Sequence, residues 1–233
     1  MRIRSSVFSL ATLATLALAP TAGAQSARSE SASVSSIRED RFKWFFGASA
    51  GALLFQTQAQ TQSGIPAVGA HVAVVARRAG VMLGVDEAFG SNEPSRFIDP
   101  SSGDQQRSVT FDRIRRYGVN LTGYPVRGHF EPYLGVGFGL LQVENAELSG
   151  EVFSSPAAAA ESAQEANDRS GSAFMSLLAG VQFRVGRMAA FGQYQISTAP
   201  APGMLIRGTG HSIMGGLRFS LGSAKEDIKG GGY

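Results

Sequence analysis

The 233-residue chain has no cysteine, a single tryptophan and few charged residues, 17% of the total. Without cysteine there is neither a disulfide framework nor a thiolate metal site. Charge of one sign is scarce too, since 21 Lys and Arg face 18 Asp and Glu. That balance offers no electrostatic footprint for nucleic acid. The three histidines, His71, His129 and His211, lack HExxH or paired spacing, so no metal-ligating pattern is present. Beyond residue 24 no apolar run reaches the about 20 residues of a membrane-spanning helix, and no repeat period occurs.

At its start the chain carries a leader. Arg2 and Arg4 precede an apolar run from Val7 to Ala19, and Ala22-Gly23-Ala24 has the small-x-small form that a signal peptidase cuts. Residues 1–24 are therefore expected to be a cleaved signal peptide, and the two arginines leave with it, bringing the net charge to about +1. Residues 25–40 are Ser-rich, charged and aperiodic, and read as a flexible N-terminal segment. Residues 223–233 read as a flexible tail, which leaves 41–222 as the folded domain.

In that domain, eight stretches alternate apolar and polar residues with a period of two, the mark of strands. Phe42, Trp44 and Phe46 oppose Lys43 and Gly47; Val68, Ala70 and Val72 oppose Gly69 and His71; Val81, Leu83 and Val85 oppose Gly84 and Asp86. The fourth sets Val109, Phe111, Tyr117, Val119 and Leu121 against Asp112, Arg116, Asn120 and Thr122. In the fifth, Phe130, Leu134, Val136, Phe138 and Leu140 oppose Glu131, Tyr133, Gly135, Gly137 and Gly139. The last three place Met175, Leu177 and Phe183 opposite Ser176, Gln182 and Arg184, then Met188 and Tyr194 opposite Gln193 and Gln195, then Ile213, Leu217 and Phe219 opposite Ser212, Gly216 and Arg218.

Short connections at 77–79, 125–128 and 186–187 alternate with long ones at 57–66, 90–106, 145–171 and 198–208. Antiparallel outer-membrane barrels require this alternation, with tight turns on the periplasmic rim and longer loops outside. The nearly continuous apolar face would be insoluble in water and is required in lipid, so the polar, charged, glycine-rich face lines the interior. The expected fold is all-β, an eight-stranded antiparallel up-and-down transmembrane β-barrel in the cell outer membrane. Outward Phe42, Trp44, Phe130, Phe183 and Phe219 all fall at the periplasmic ends, where an aromatic girdle belongs.

The leader, the eight strands, Glu131-Pro132-Tyr133-Leu134-Gly135-Val136-Gly137-Phe138-Gly139 and the closing Gly215-Gly216-Leu217-Arg218-Phe219 resemble the small outer-membrane β-barrel proteins of the OmpA/OmpX type. The resemblance spans residues 41 to 222 and is one of pattern. It implies outer-membrane lipid and lipopolysaccharide as surroundings and a barrel-insertion machinery as partner. That machinery reads an aromatic ending the last strand; Phe219 and Tyr233 both offer one, and the periodicity favours Phe219.

Catalytic chemistry is thin. His211 and Ser212 are adjacent in a strand, so their side chains point to opposite faces and cannot meet. The glycines of the fifth stretch alternate inside a strand with no following helix, which makes them room in a narrow barrel rather than a phosphate loop, and no cofactor is expected. In the third long connection, Ser155-Pro156 followed by AAAAESAQEA predicts a short capped helix in an acidic, solvated loop, and Asn92 and Ser162 are expected at accessible loop positions. For the lumen the parity predicts a charge network of Lys43, Asp86, Arg116, Glu131, Arg184 and Arg218, in which Glu131 meets Arg184 and Asp86 meets Arg116. Lys43 and Arg218 are expected to share a layer across the seam. An interior of eight strands is just filled by side chains. The expected function is therefore non-enzymatic, envelope-structural or presenting external loops to a ligand. A narrow or gated pore is the alternative, followed by a lipid A-modifying enzyme.

Overall fold

A computed structural model describes residues 42–100, 103, 105–150 and 152–222; the expected signal peptide, the N-terminal segment up to residue 41 and the tail from 223 lie outside them. The strands are β1 Lys43–Thr57, β2 Ser63–Ala76, β3 Ala79–Asp99, β4 Gln105–Gly123, β5 Phe130–Glu144, β6 Glu147–Leu148, β7 Gly171–Val185, β8 Met188–Ser197 and β9 Ile206–Gly222. Each long strand pairs antiparallel with its neighbour, and β1 pairs with β9 while β3 pairs with β4. Eight strands thus close on themselves, so the wall has no open sheet edge along its paired length. The two-residue β6 adds onto the outer part of β4, Val109 opposite Leu148.

One end of the barrel carries the short links, β2–β3, β4–β5 and β7–β8, together with both ends of the domain. We call it the turn end and its opposite the loop end. From the turn end to beyond mid-height the outer face is apolar. Phe130, Leu134, Val136, Phe138 and Leu140 on β5 are each 55–64% exposed. At about 3.4 Å per residue and a tilt of about 45°, the run from Phe130 to Leu140 covers about 24 Å of height. Phe42, Trp44, Phe130, Phe183 and Phe219 all point outward around the turn end, with Phe130 directly opposite Phe183. Above the band the outer face becomes charged: Glu87 lies 3.3 Å from Arg115 and 3.5 Å from Arg113, and Arg115 reaches Glu144 at 2.7 Å.

Glycines on the inner face carve space for larger neighbours. A Cβ on Gly180 would come within 2.4 Å of the Tyr133 ring, and one on Gly47 within 2.3 Å of His71.

Two expectations need correction. Residues 90–106 are not a long loop: β3 and β4 continue as a ribbon well past the neighbouring strands, pairing Asp99 with Gln105. Val109 and Phe111, expected outside, are each 1% exposed and point inward. Both corrections have one cause. Between Phe89 and Glu93 three residues of β3 face Asp112 of β4 alone, with Asn92 at φ 52° and its N–H donating to the Asp112 carboxylate at 3.1 Å. The alternation breaks in both strands at this bulge, since Ala88 and Ser95 of β3 and Ile114 and Phe111 of β4 all point inward, and every later side chain lies on the face opposite to the one a strict period of two would give. The ribbon above it therefore buries Phe97, Val109 and Phe111.

Those side chains join Phe55, Phe174 and Leu205 in an apolar core that fills the loop end. The third connection closes over it. Ser155 caps helix α1, Pro156–Asp168, its hydroxyl accepting from Ala158 N at 3.2 Å with Pro156 in the first turn. Ala166 of α1 enters the core, and Ser162 is fully buried, donating to the carboxylate of Asp99, which also has Arg107 at 3.5 Å. Ser162 is thus not the accessible loop position expected, because α1 lies with that face against β3. The β8–β9 link is tied in as well: Leu205 N donates to Arg169 O at 3.2 Å, and Ser95 donates to Leu205 O at 2.6 Å.

In the folded protein, a cysteine at Asn92, on the bulge, or at Val152, 91% exposed, should react with a polar maleimide within minutes. One at Ser162 should react only after denaturant is added. Equal rates at Ser162 and Val152, measured by mass shift, would mean that α1 is not docked.

Candidate functional site: the barrel interior

The inner face holds the polar groups in layers. Nearest the turn end lies Glu131, 1% exposed, the second residue of β5. It stands opposite Gln182 of β7, whose amide donates to Oε2 at 2.6 Å. Arg184, two residues further along β7, reaches the same oxygen diagonally at 3.0 Å. Arg127 donates from the β4–β5 link at 3.4 Å, and Gly128 N donates to Oε1 at 3.4 Å. Each arginine also lies over an aromatic face, Arg184 over Phe45 at 5.2 Å and Arg127 over Tyr124 at 4.3 Å. Such contacts add cation–π attraction and shield the guanidiniums from the lumen.

One layer in, Arg218 of β9 is 2% exposed and has no carboxylate within salt-bridge distance among the described residues. Its Nε donates across Gly47 to His71 Nε2 at 2.8 Å. Its Nη1 donates to Gln182 Oε1 at 2.9 Å, and its Nη2 to Tyr133 OH at 3.3 Å and Gln193 Oε1 at 3.4 Å. The Phe191 ring lies 4.1 Å from the guanidinium carbon. Because Gln182 donates to Glu131 while accepting from Arg218, it links the two layers.

The third layer is set by direct register. Asp86 of β3 stands opposite Arg116 of β4, with Arg116 Nη2 at 3.1 Å from Asp86 Oδ2. The same Nη2 lies 3.0 Å from Gln195 Oε1 and 3.3 Å from Ser212 Oγ. Ser176 donates to Asn120 Oδ1 at 3.2 Å over Gly137, the β5 residue between them. Above this layer the apolar core begins. Two small voids border these layers, about 20 Å³ beside Arg116 and His71 and about 10 Å³ on the side toward Ile114.

Of the residues singled out from sequence, Glu131 and Arg184 stand together, as do Asp86 and Arg116. Lys43 does not join them. The seam pairs Arg218 with Gly47, so Lys43 lies four residues nearer the rim and is exposed. Sequence reasoning counted residues from each strand's apparent start and so missed this stagger. It also missed Arg127, which sits in a turn with no periodicity to read, and it set the neutral Gln182, His71, Gln193 and Gln195 on the inner face without including them in the network, because they carry no charge to flag them. His211 points outward, with Tyr194 OH at 2.5 Å and Thr209 Oγ1 at 3.3 Å. Ser212, 3% exposed, points inward to Arg116. Among the described residues no cluster of His, Cys, Asp and Glu could hold a metal ion.

The wall and its interior can now be set beside known proteins. No family model and no curated protein matches the sequence. Solved structures do match. Neisserial surface protein A aligns over 76% of this chain and 96% of its own, with 12% identity and a TM-score of 0.53. What that likeness shows is the fold, a closed eight-stranded antiparallel barrel. The attachment invasion locus protein Ail of Yersinia pestis, solved with the heparin analogue sucrose octasulfate, aligns over 77% of this chain and 99% of its own at 9% identity and a TM-score of 0.40; at that score it carries no argument.

Removing Glu131 as Glu131→Ala leaves Gln182 and two arginines without their shared acceptor. Breaking a buried pair from one side costs about 3–5 kcal/mol, and the expected loss falls at the lower end because Arg127 and Arg184 are partly exposed. Arg184→Ala should cost less, since Arg127 remains on Glu131, and Lys43→Ala should stay within about 0.5 kcal/mol. Urea midpoints of the refolded variants check the order.

Proposed function

We propose that this chain is an integral outer-membrane barrel that acts without catalysis. It contributes a closed, side-chain-filled cylinder to the envelope and holds a folded cap for contact with an external ligand. One observation carries the reading: the burial pattern inverts along the barrel. Where the outer face is apolar, the interior is charged and amide-rich; beyond the bulge at residues 90–92 the interior turns apolar and the outer face charged. The lower half is built for surroundings of hydrocarbon and the upper half for water. The about 24 Å of apolar height fits the band of an outer-membrane barrel. The five aromatics at the turn end suit the opposite interface.

From this it follows that outer-membrane lipid, lipopolysaccharide included, surrounds the wall, and that the cap faces the medium. Phe219, outward near the end of β9, serves as the aromatic that the insertion machinery reads. The filled layers around Arg218 and Arg116 support a plug over a channel: the two voids beside them hold about one or two water-sized bodies, since a water needs about 10–15 Å³ of such space. Of the six charged residues predicted for the lumen, all but Lys43 act as the lower part of that plug.

Two measurements test the proposal on the full chain. On intact cells an impermeant maleimide should label a cysteine at Val152 and spare one at Val126, which is 54% exposed but lies at the turn end; the opposite pattern would reverse the orientation. In planar bilayers the protein should give no steady conductance, and stepwise channels would replace the plug with a pore. Recovery of the mature protein in the soluble periplasmic fraction would remove the membrane reading altogether.

A further inference from the structure

The two borders of the apolar band differ in charge. Toward the loop end, Glu87 and Glu144 balance Arg113 and Arg115. At the turn end the basic side chains have almost nothing to balance them. Arg77 and Arg78 form the β2–β3 link, Arg127 stands in the β4–β5 link, Arg184 and Arg187 flank the β7–β8 turn, and Lys43 opens β1. Among the described residues the one carboxylate at this end is Glu131, which is 1% exposed and already shared by Arg127 and Arg184. Lys43, Arg78 and Arg187 are exposed and have no carboxylate within ion-pair distance among the described residues. The flanking segments carry no net charge to cancel the excess. Residues 25–41 hold Arg28, Arg38 and Arg41 against Glu30, Glu39 and Asp40, and residues 223–233 hold Lys225 and Lys229 against Glu226 and Asp227.

The cations follow the aromatic girdle round the wall. Lys43 lies between Phe42 and Trp44, Arg184 follows Phe183, and Arg187 precedes Met188, which stands opposite Phe219. Val75, two residues before Arg77, stands opposite Lys43. Girdle aromatics sit at the level of lipid headgroups. Basic side chains beside them therefore reach the layer of the lipid phosphates while their stems stay against apolar surface.

We propose that the turn-end rim is a binding surface for anionic phospholipid headgroups, of the phosphatidylglycerol type, in the leaflet that meets it. The proposal rests on the membrane reading above. Guanidiniums take phosphate oxygens through paired N–H donors. Arg78, Arg187 and Lys43 are open to the headgroup layer, and Arg127 and Arg184 add positive field from beneath. A zwitterionic headgroup brings its own cation into the same layer and gains less from that field. Such contacts enrich anionic lipid around the turn end and fix the depth at which the girdle sits.

Trp44, the single tryptophan of the chain, is 45% exposed on the outer face and adjoins Lys43, so its fluorescence reports the lipid at this rim. With the full chain folded in phosphatidylcholine bilayers, brominated phosphatidylglycerol should quench Trp44 at a lower mole fraction than brominated phosphatidylcholine. The preference should be about fivefold for each basic residue engaged at low salt, and it should shrink as sodium chloride is added. Replacing both Lys43→Gln and Arg78→Gln should remove most of it, while Arg113→Gln, at the other border of the band, should leave it unchanged. Equal quenching by the two lipids, or a preference undiminished in the double variant, would overturn the proposal and leave the membrane reading standing. Quenching of Trp44 by neither lipid would remove the membrane reading and the proposal with it.

Discussion

Side chains alternate across a strand, so an irregularity that breaks the alternation in both strands of a pair exchanges the faces of everything beyond it. In this barrel that exchange happens at residues 90–92, and the two halves of the structure depend on it. Below the bulge, Met82, Asp86 and Ala88 of β3 point inward with Arg116 and Ile114 of β4; above it, Ser95, Phe97 and Asp99 do so with Val109 and Phe111. A continuous parity would have aimed Phe111 and Val109 outward above the charged belt of Glu87, Arg113 and Arg115. Without them the loop end would have no core, and α1 would have nothing to pack on.

The lower half solves a different problem, the burial of guanidiniums in a tube about one side chain wide. Full ion pairing is not how it is done for Arg218. Neutral acceptors surround it, and aromatic rings cover its faces, an arrangement that satisfies donors without bringing in a second desolvated charge. Room for these long side chains comes from glycine. Gly47 lies under the Arg218–His71 bond, Gly69 beside Asp86, and Gly137 beside Asn120, where an added Cβ would come within 2.3 Å of a polar atom in each case. Glycine weakens a strand in isolation, but a closed wall with every neighbour paired tolerates it.

How much of this was legible follows from what a period of two can encode. The wall was: the apolar stretches, the tight turns and the outward aromatics all have one-residue signatures. Ser155-Pro156 announced α1 through capping chemistry. The pairing of Asp86 with Arg116 was readable because β3 and β4 each reach a short turn at the same end of the barrel, so residue counts from those two turns measure height. Lys43 and Arg218 lie on the two sides of the seam, where no turn fixes the register, and the stagger sets them four residues apart. The bulge was not legible either. Gly90-Ser91-Asn92 looks like the start of a polar loop, and only the apolar alternation of Phe97, Val109 and Phe111 hinted at strands, with its sense reversed. For the neutral members of the lumen, Gln182 above all, parity gave the inward face but not the role, which is defined by the two charges they connect.

The cap has a further physical consequence. Long connections on a barrel ordinarily carry high conformational freedom, and a partner that binds them must order them first. Here the third and fourth connections are joined by Arg169, which hydrogen-bonds Glu165 and the Gly203 carbonyl while its own carbonyl accepts from Leu205. The ribbon is tied to the rest by Thr57 on the Pro94 carbonyl at 2.7 Å and by Ser95 on Leu205. Four connections thus share one apolar core and present one preformed surface. Recognition by such a surface would cost little ordering entropy but tolerate little variation in shape, so any partner would be selected by the outward residues of α1 and the ribbon rather than by loop adaptation.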